Sequence, residues 1–229
     1  DINLVNGALG RYAQEPSRDS AKNIFDNLDR VRQQTERPIA GNTEMSSLLP
    51  LIDSYRLLFH KFVAEADQKA ALESQIDLLQ QRIRTGLKFA LPHHGGLSSH
   101  TTYEDLIGHV VDLQWLGQEV LTGTLQPPAA ALEQSRSSLA RLRQSVLHEV
   151  RDTDRQRQLY RILRDAGDYL TNLEKYFYLV KSCHETTETL GGLSRELETT
   201  TAAISEAGQE AMRHKISLAI DRKSTRLNS

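Results

Sequence analysis

The chain has 229 residues, enough for one large domain or two small ones. Charged residues make up 25% and hydrophobic ones 38%, as in globular domains, and a formal charge of −2 excludes a global field that would draw nucleic acid or an anionic membrane. No stretch approaches the ~20 apolar residues of a membrane span, and the lone Cys183 excludes an internal disulfide and a cysteine-based zinc site.

Apolar residues recur at three- and four-residue intervals almost throughout, which predicts helix, and strand signals are nearly absent. Ile2, Val5, Leu9 and Tyr12 form one stripe, so the chain begins inside a helix (2–14), as an excised piece of something longer would. Pro16 stops it, and Ser17 can cap a second helix (18–35) carrying Ile24, Leu28 and Val31. The stretch ERPIAGN reads as a loop. A long helix follows, capped by Ser46 or Ser47, with Pro50 tolerable in its first turn. Its seam is Leu48, Ile52, Tyr55, Phe59, Phe62, Ala66, Ile76, Ile83, Leu87 and Ala90, and LPHHGGLSSH breaks it after Leu91. Lys69 and Glu73 interrupt that seam. Either they pair one turn apart, or the seam drifts toward Leu72 and Leu79.

Tyr103, Ile107, Val110, Leu113 and Gly117 mark a helix (102–122) ending near Gly123. After Pro127 and Pro128, Leu132, Leu139, Leu142 and Val146 mark another (129–147). The last long helix starts near Asp154, with a seam through Leu159, Ile162, Ala166, Tyr169, Leu173, Tyr176, Val180, Cys183, Thr187, Leu190, Ser194, Leu197 and Ile204. KSTRLNS (223–229) does not continue that pattern and reads as a tail or a cloning remnant.

Two stretches repeat. DNLDRVRQQ (26–34) returns as SSLARLRQS (137–145), and LLPLIDSYRLLFHKFV (48–63) matches ILRDAGDYLTNLEKYF (162–177) at Leu49/Leu163, Tyr55/Tyr169 and Lys61/Lys175. Each half reads short helix, proline break, short helix, loop, long helix, which points to an internal three-helix repeat. A helix of about 44 residues spans roughly 65 Å at ~1.5 Å per residue. A compact sphere of this chain length would be only about 45 Å across. The expected architecture is therefore all-α: an elongated rod of two stacked four-helix bundles, with six helices, two long and four short. The lower bundle takes residues 1–15, 67–123 and 181–220, and the upper takes 17–66 and 127–180.

That layout, with Tyr12 late in the first helix, the Ile52–Tyr55–Phe59–Phe62–Val63 run and the two proline breaks, resembles the helical bimodular (HBM) sensor domain of bacterial transmembrane chemoreceptors and sensor kinases. The resemblance covers residues 1–220. It implies a periplasmic domain between two membrane helices, a small organic acid as ligand, and a homodimer joined through the lower storey. Dicarboxylate-binding members carry arginines six and three positions before the first-helix tyrosine. Here those positions are Asn6 and Leu9, and the nearby arginine is Arg11.

Candidate ligand-binding residues follow from side-chain chemistry. In the upper bundle, Arg30 and Arg141 of the repeated basic pairs offer a carboxylate clamp, or else a solvated helix face. Tyr55 and Tyr169 lie on the seams, where each hydroxyl needs a ligand or a protein partner. In the lower bundle, Gly191 and Gly192 leave room between helices, and Arg11, Gln114, Trp115, Thr187, Ser194 and Arg195 offer donors and a flat surface. His93, His94 and His100 lack an acidic or cysteine co-ligand, so no metal and no cofactor is expected. No nucleophile elbow, phosphate loop or metalloprotease helix is present, so an enzyme is not expected. The function expected is a periplasmic sensor of a small organic acid. The alternative is the sensor region of a histidine kinase that docks a periplasmic binding protein.

Overall fold

The computed structural model describes Tyr12 and residues 17–36, 47–90, 100–123 and 129–227, with the backbone alone for His100 and residues 218–227. Among them all regular structure is helical: α1 (Arg18–Glu36), α2 (Leu48–Ala90), α3 (His100–Thr122), α4 (Ala129–Glu149) and α5 (Thr153–Leu227). Tyr12 apart, the helix expected at 2–14 lies outside the described residues, as do the loops holding Pro38, His93, His94 and Pro127.

Local chemistry sets the helix ends. Ser17 Oγ accepts the Ser20 N–H at 3.1 Å and caps α1. Pro50 occupies the third residue of α2, where its missing N–H has no intrahelical partner to lose. α3 closes on Gly123, whose φ of 71° suits glycine and whose N–H reaches the Val120 carbonyl at 3.2 Å. The Asp152 carboxylate accepts the N–H groups of Asp154 (2.9 Å) and Arg155 (3.2 Å) to start α5. At its other end α5 continues to Leu227, through residues 223–227 that the sequence reading set aside as a tail.

The chain divides into two compact units, Asp1–Ala64 with His184–Ser229, and Glu65–Cys183, so α2 and α5 each supply a segment to both. In Glu65–Cys183, the second part of α2, all of α3 and α4, and the first part of α5 enclose one core. It includes Ile76, Ile83, Leu106, Leu113, Leu139, Leu142, Leu163 and Leu173. α2 and α5 run antiparallel there, because Glu73, Gln75 and Arg82 meet Tyr176, Asn172 and Asp165 in reverse order. Thr102 donates to Glu149 between α3 and α4, and Arg136 pairs with Glu174 between α4 and α5.

The grouping of the short helices differs from the expected tiers. The sequence reading put 102–122 and 129–147 in different bundles, whereas α3 and α4 share one core. α4 begins six residues after Gly123, and Thr102 of α3 meets Glu149 of α4. Periodicity identifies the buried face of a helix without identifying the neighbour that covers it.

In the other unit, α1 lies antiparallel to the first part of α2, held by ion pairs Arg32–Asp53 (3.0 Å) and Arg56–Asp29 (3.4 Å). Ile24, Leu28, Ile52, Tyr55 and Phe59 are buried, and Tyr12 meets Phe59 and Phe62 edge-on at 5.6 and 5.9 Å. Thr186, Leu190, Ser194 and Leu197 are the buried positions of α5 here.

Most expected seam residues are buried. In the middle of α2 both expected resolutions occur: Lys69 and Glu73 pair at 3.8 Å, and Leu79 is the buried residue. On α5 the seam departs from the expected one locally, and Leu190, Ser194 and Leu197 keep the expected register. Thr186 is buried, while Thr187 and Val180 face out, because a 3.6-residue turn drifts against a strict four-three repeat.

Candidate functional site

Arg11 lies outside the described residues. Gln114 and Trp115 belong to Glu65–Cys183, whereas Thr187, Ser194 and Arg195 belong to the other unit. Trp115 is 69% exposed, Thr187 and Arg195 are exposed, and Ser194 is buried. The Arg195 Nε donates to its own helix at Gly191 O, 3.2 Å.

Arg30 is solvent-facing, and Arg141 donates to Ser138 Oγ at 3.1 Å on its own helix. Their repeat mates reach across helices. Arg32 pairs with Asp53 of α2, and Arg143 donates to the Leu163 carbonyl of α5 at 3.4 Å. The repeated phrase thus ties each of two short helices to a long one.

Tyr55 and Tyr169 are core residues in different units, and burial pushes each phenol up to about 12. Tyr55 Oη has no hydrogen-bond partner among the described residues. Tyr169 packs so closely on α3 that a Cβ added at Gly117 would lie 1.8 Å from its hydroxyl oxygen.

The most developed anion-binding geometry lies between α2 and α5, in Glu65–Cys183. A groove of about 560 Å3 is lined by Leu78, Gln81, Arg82, Phe89, Gln158, Arg161, Ile162, Arg164 and Asp165, among others. Arg82 and Arg164 converge on Asp165 Oδ1 at 2.9 and 3.6 Å, and that carboxylate is only 9% exposed. Arg161, one turn before Asp165, is exposed and has no ion-pair partner among the described residues. Three arginines and one carboxylate therefore line the groove, an excess of two positive charges. Beside them Leu78 is 55% and Phe89 79% exposed. At Gly86 an added Cβ would fall 2.8 Å from Ile162 Cγ1, so glycine permits the close approach of α2 to α5 along the groove.

The sequence reading did not select these residues. Arg82 and Asp165 are 83 positions apart, and each alone reads as part of a solvated face. It also passed over His109, which is only 7% exposed and whose Nε2 has no hydrogen-bond partner among the described residues. A signal was available: His109 lies three residues after Leu106 and four before Leu113, on the buried stripe of α3. Burial and the nearby Arg141 lower its proton affinity, against an opposing pull from Asp112.

Among the described residues, no cluster of three or more His, Cys, Asp or Glu side chains could hold a metal ion, and no helix is long and apolar enough to cross a membrane. No protein-family model matches the chain, and no curated protein shows significant similarity to it.

Proposed function

We propose that this chain is the periplasmic ligand-binding domain of a bacterial transmembrane chemoreceptor, acting as a homodimer, and that it takes a small organic acid in the α2/α5 groove. The observation that carries this reading is the excess of arginine there: Arg82, Arg161 and Arg164 against Asp165 alone. A guanidinium binds a carboxylate through two parallel N–H···O bonds, and a second carboxylate on the same ligand would satisfy a second arginine. Leu78, Phe89 and Ile162 offer apolar surface to the carbon skeleton between them.

The groove's position supports a signalling role. α2 and α5 are the two helices that contribute to both units, so a ligand wedged between them acts on elements shared by the whole described fold. It transmits a signal only by binding one packing of α2 on α5 better than the other. The helical bimodular resemblance supplies the membrane context of the proposal.

A second reading is favoured by Val111 and Trp115, 46% and 69% exposed one turn apart on α3. Such a face suits docking of a periplasmic binding protein, as in the kinase alternative.

A thermal-shift panel of organic acids tests the first reading. A ligand present at 100 times its Kd stabilises by about 2.7 kcal/mol, or roughly 5–11 °C for a domain of this size. The expected result is a rise with di- or tricarboxylates that shrinks in high salt. If no organic acid raises Tm, the α2/α5 reading is wrong.

A further inference from the structure

The α2/α5 groove carries more apolar surface than a short diacid can use. Leu78, Arg82 and Phe89 line it from α2, and Arg161, Ile162 and Arg164 from α5. Phe89 is 79% exposed, and no other large apolar side chain among the described residues is more so. A single exposed apolar side chain is ordinary, whereas an aromatic ring on the wall of a cationic groove is in place to meet whatever anion enters.

The order of these residues along the groove follows from the helix directions. α2 and α5 run antiparallel, so positions after Arg82 on α2 and before Asp165 on α5 lie on the same side of the Arg82–Asp165 contact. At ~1.5 Å per residue, Arg164 stands about 2 Å, Arg161 about 6 Å and Phe89 about 10 Å beyond that contact, with Leu78 about 6 Å on its other side. Two arginines are thus followed, within about one further turn, by an exposed aromatic ring.

We propose that the acid taken in this groove carries an aromatic ring, with its carboxylates on Arg161 and Arg164 and its ring against Phe89. The proposal rests on the reading of the groove as an anion site and names the class of acid. A diacid short enough to lie between the two arginines leaves Phe89 in water. A ring attached next to a carboxylate reaches Phe89, removes apolar surface of both rings from water, and gains the added attraction of an aromatic pair. A guanidinium beside that ring contributes a cation–π attraction as well.

The test is calorimetric titration of the chain with butanedioate and with 2-phenylbutanedioate, which carry the same two carboxylates. The phenyl acid is expected to bind at one site per chain, at least about tenfold more tightly than butanedioate. In Phe89→Ala the ratio of the two affinities should fall toward one. In Phe89→Leu, which keeps an apolar side chain and removes the aromatic pair, the ratio should fall about two- to tenfold. Both variants should keep Tm near that of the parent chain, because the side chain they replace is mostly in water. If butanedioate binds and the phenyl group adds nothing, or if the ratio survives Phe89→Ala, the ring's place is wrong and the anion site stands. If the ratio falls in Phe89→Ala and is untouched in Phe89→Leu, the aromatic assignment is overturned. If neither acid binds, the anion reading falls and this proposal with it.

Discussion

Gly117→Ala isolates the packing of α3 on α5 in a single atom. Two effects oppose each other. Alanine in a helix interior is favoured over glycine by about 1 kcal/mol. Against that, the new Cβ would stand 1.8 Å from Tyr169 Oη and 2.9 Å from Cζ. Tyr169 is 2% exposed, and its oxygen is carried on a rigid ring rather than a flexible chain, so the ring or the helix must shift by more than an ångström. Overpacking of a filled core costs about 1–3 kcal/mol, and this contact belongs at the upper end. The net expectation is a loss of about 1–2 kcal/mol, or about 2–8 °C in Tm. Tyr169→Phe removes the 1.8 Å contact and leaves only the milder one, so Gly117→Ala/Tyr169→Phe should be at least about 1 kcal/mol more stable than the sum of the single variants. Urea denaturation of the four proteins gives the cycle directly. Stabilisation of the single alanine variant by the full propensity gain, or a coupling near zero, would refute the claim that glycine is required by the approach of Tyr169.

Three further outcomes follow from particular side chains. Tyr55→Phe deletes a buried hydroxyl with no hydrogen-bond partner among the described residues and should raise stability by about 1 kcal/mol; a comparable loss of stability would mean that the oxygen is bonded. Gly192→Ala, with nothing among the described residues within 4 Å of the new Cβ, should raise Tm by the helix-propensity gain of about 1 kcal/mol, and a drop would reveal a neighbour. His109 is held below its ordinary value near 6.5, chiefly by burial, so the unfolded chain binds its proton more readily. Its contribution is whole above that value and is lost as pH falls from about 6.5 toward the lower folded-state value. His109→Gln should flatten that segment of the stability–pH curve, and an unchanged slope would contradict the burial argument.

The helices were legible because their signals are local. Ser17, Pro50 and Gly123 act through groups within four residues, and Leu132, Leu139, Leu142 and Val146 of α4 are all buried as their spacing required. The pairing of helices was not legible. The four-three pattern of 102–122 is equally consistent with any apolar neighbour, and only packing shows that α4 covers it. The slip from Thr187 to Thr186 has a similar origin, since two adjacent threonines carry no contrast for periodicity to read. The α2/α5 groove was hidden for the reason that makes it interesting. Arg82, Arg161 and Arg164 have the composition of solvated helix faces and acquire meaning only when α2 and α5 bring them to one groove. None of the residues selected beforehand lines the α2/α5 groove.

The account rests most heavily on the α2/α5 groove as an anion site, and calorimetric titration of a dicarboxylate into the wild-type chain and into Arg161→Gln addresses it most directly. Saturable binding at one site per chain, weakened about ten- to hundredfold by that substitution, is the predicted result, since a charged hydrogen bond is worth about 1.5–3 kcal/mol. Heats indistinguishable from dilution, or an affinity that Arg161→Gln leaves untouched, would contradict it.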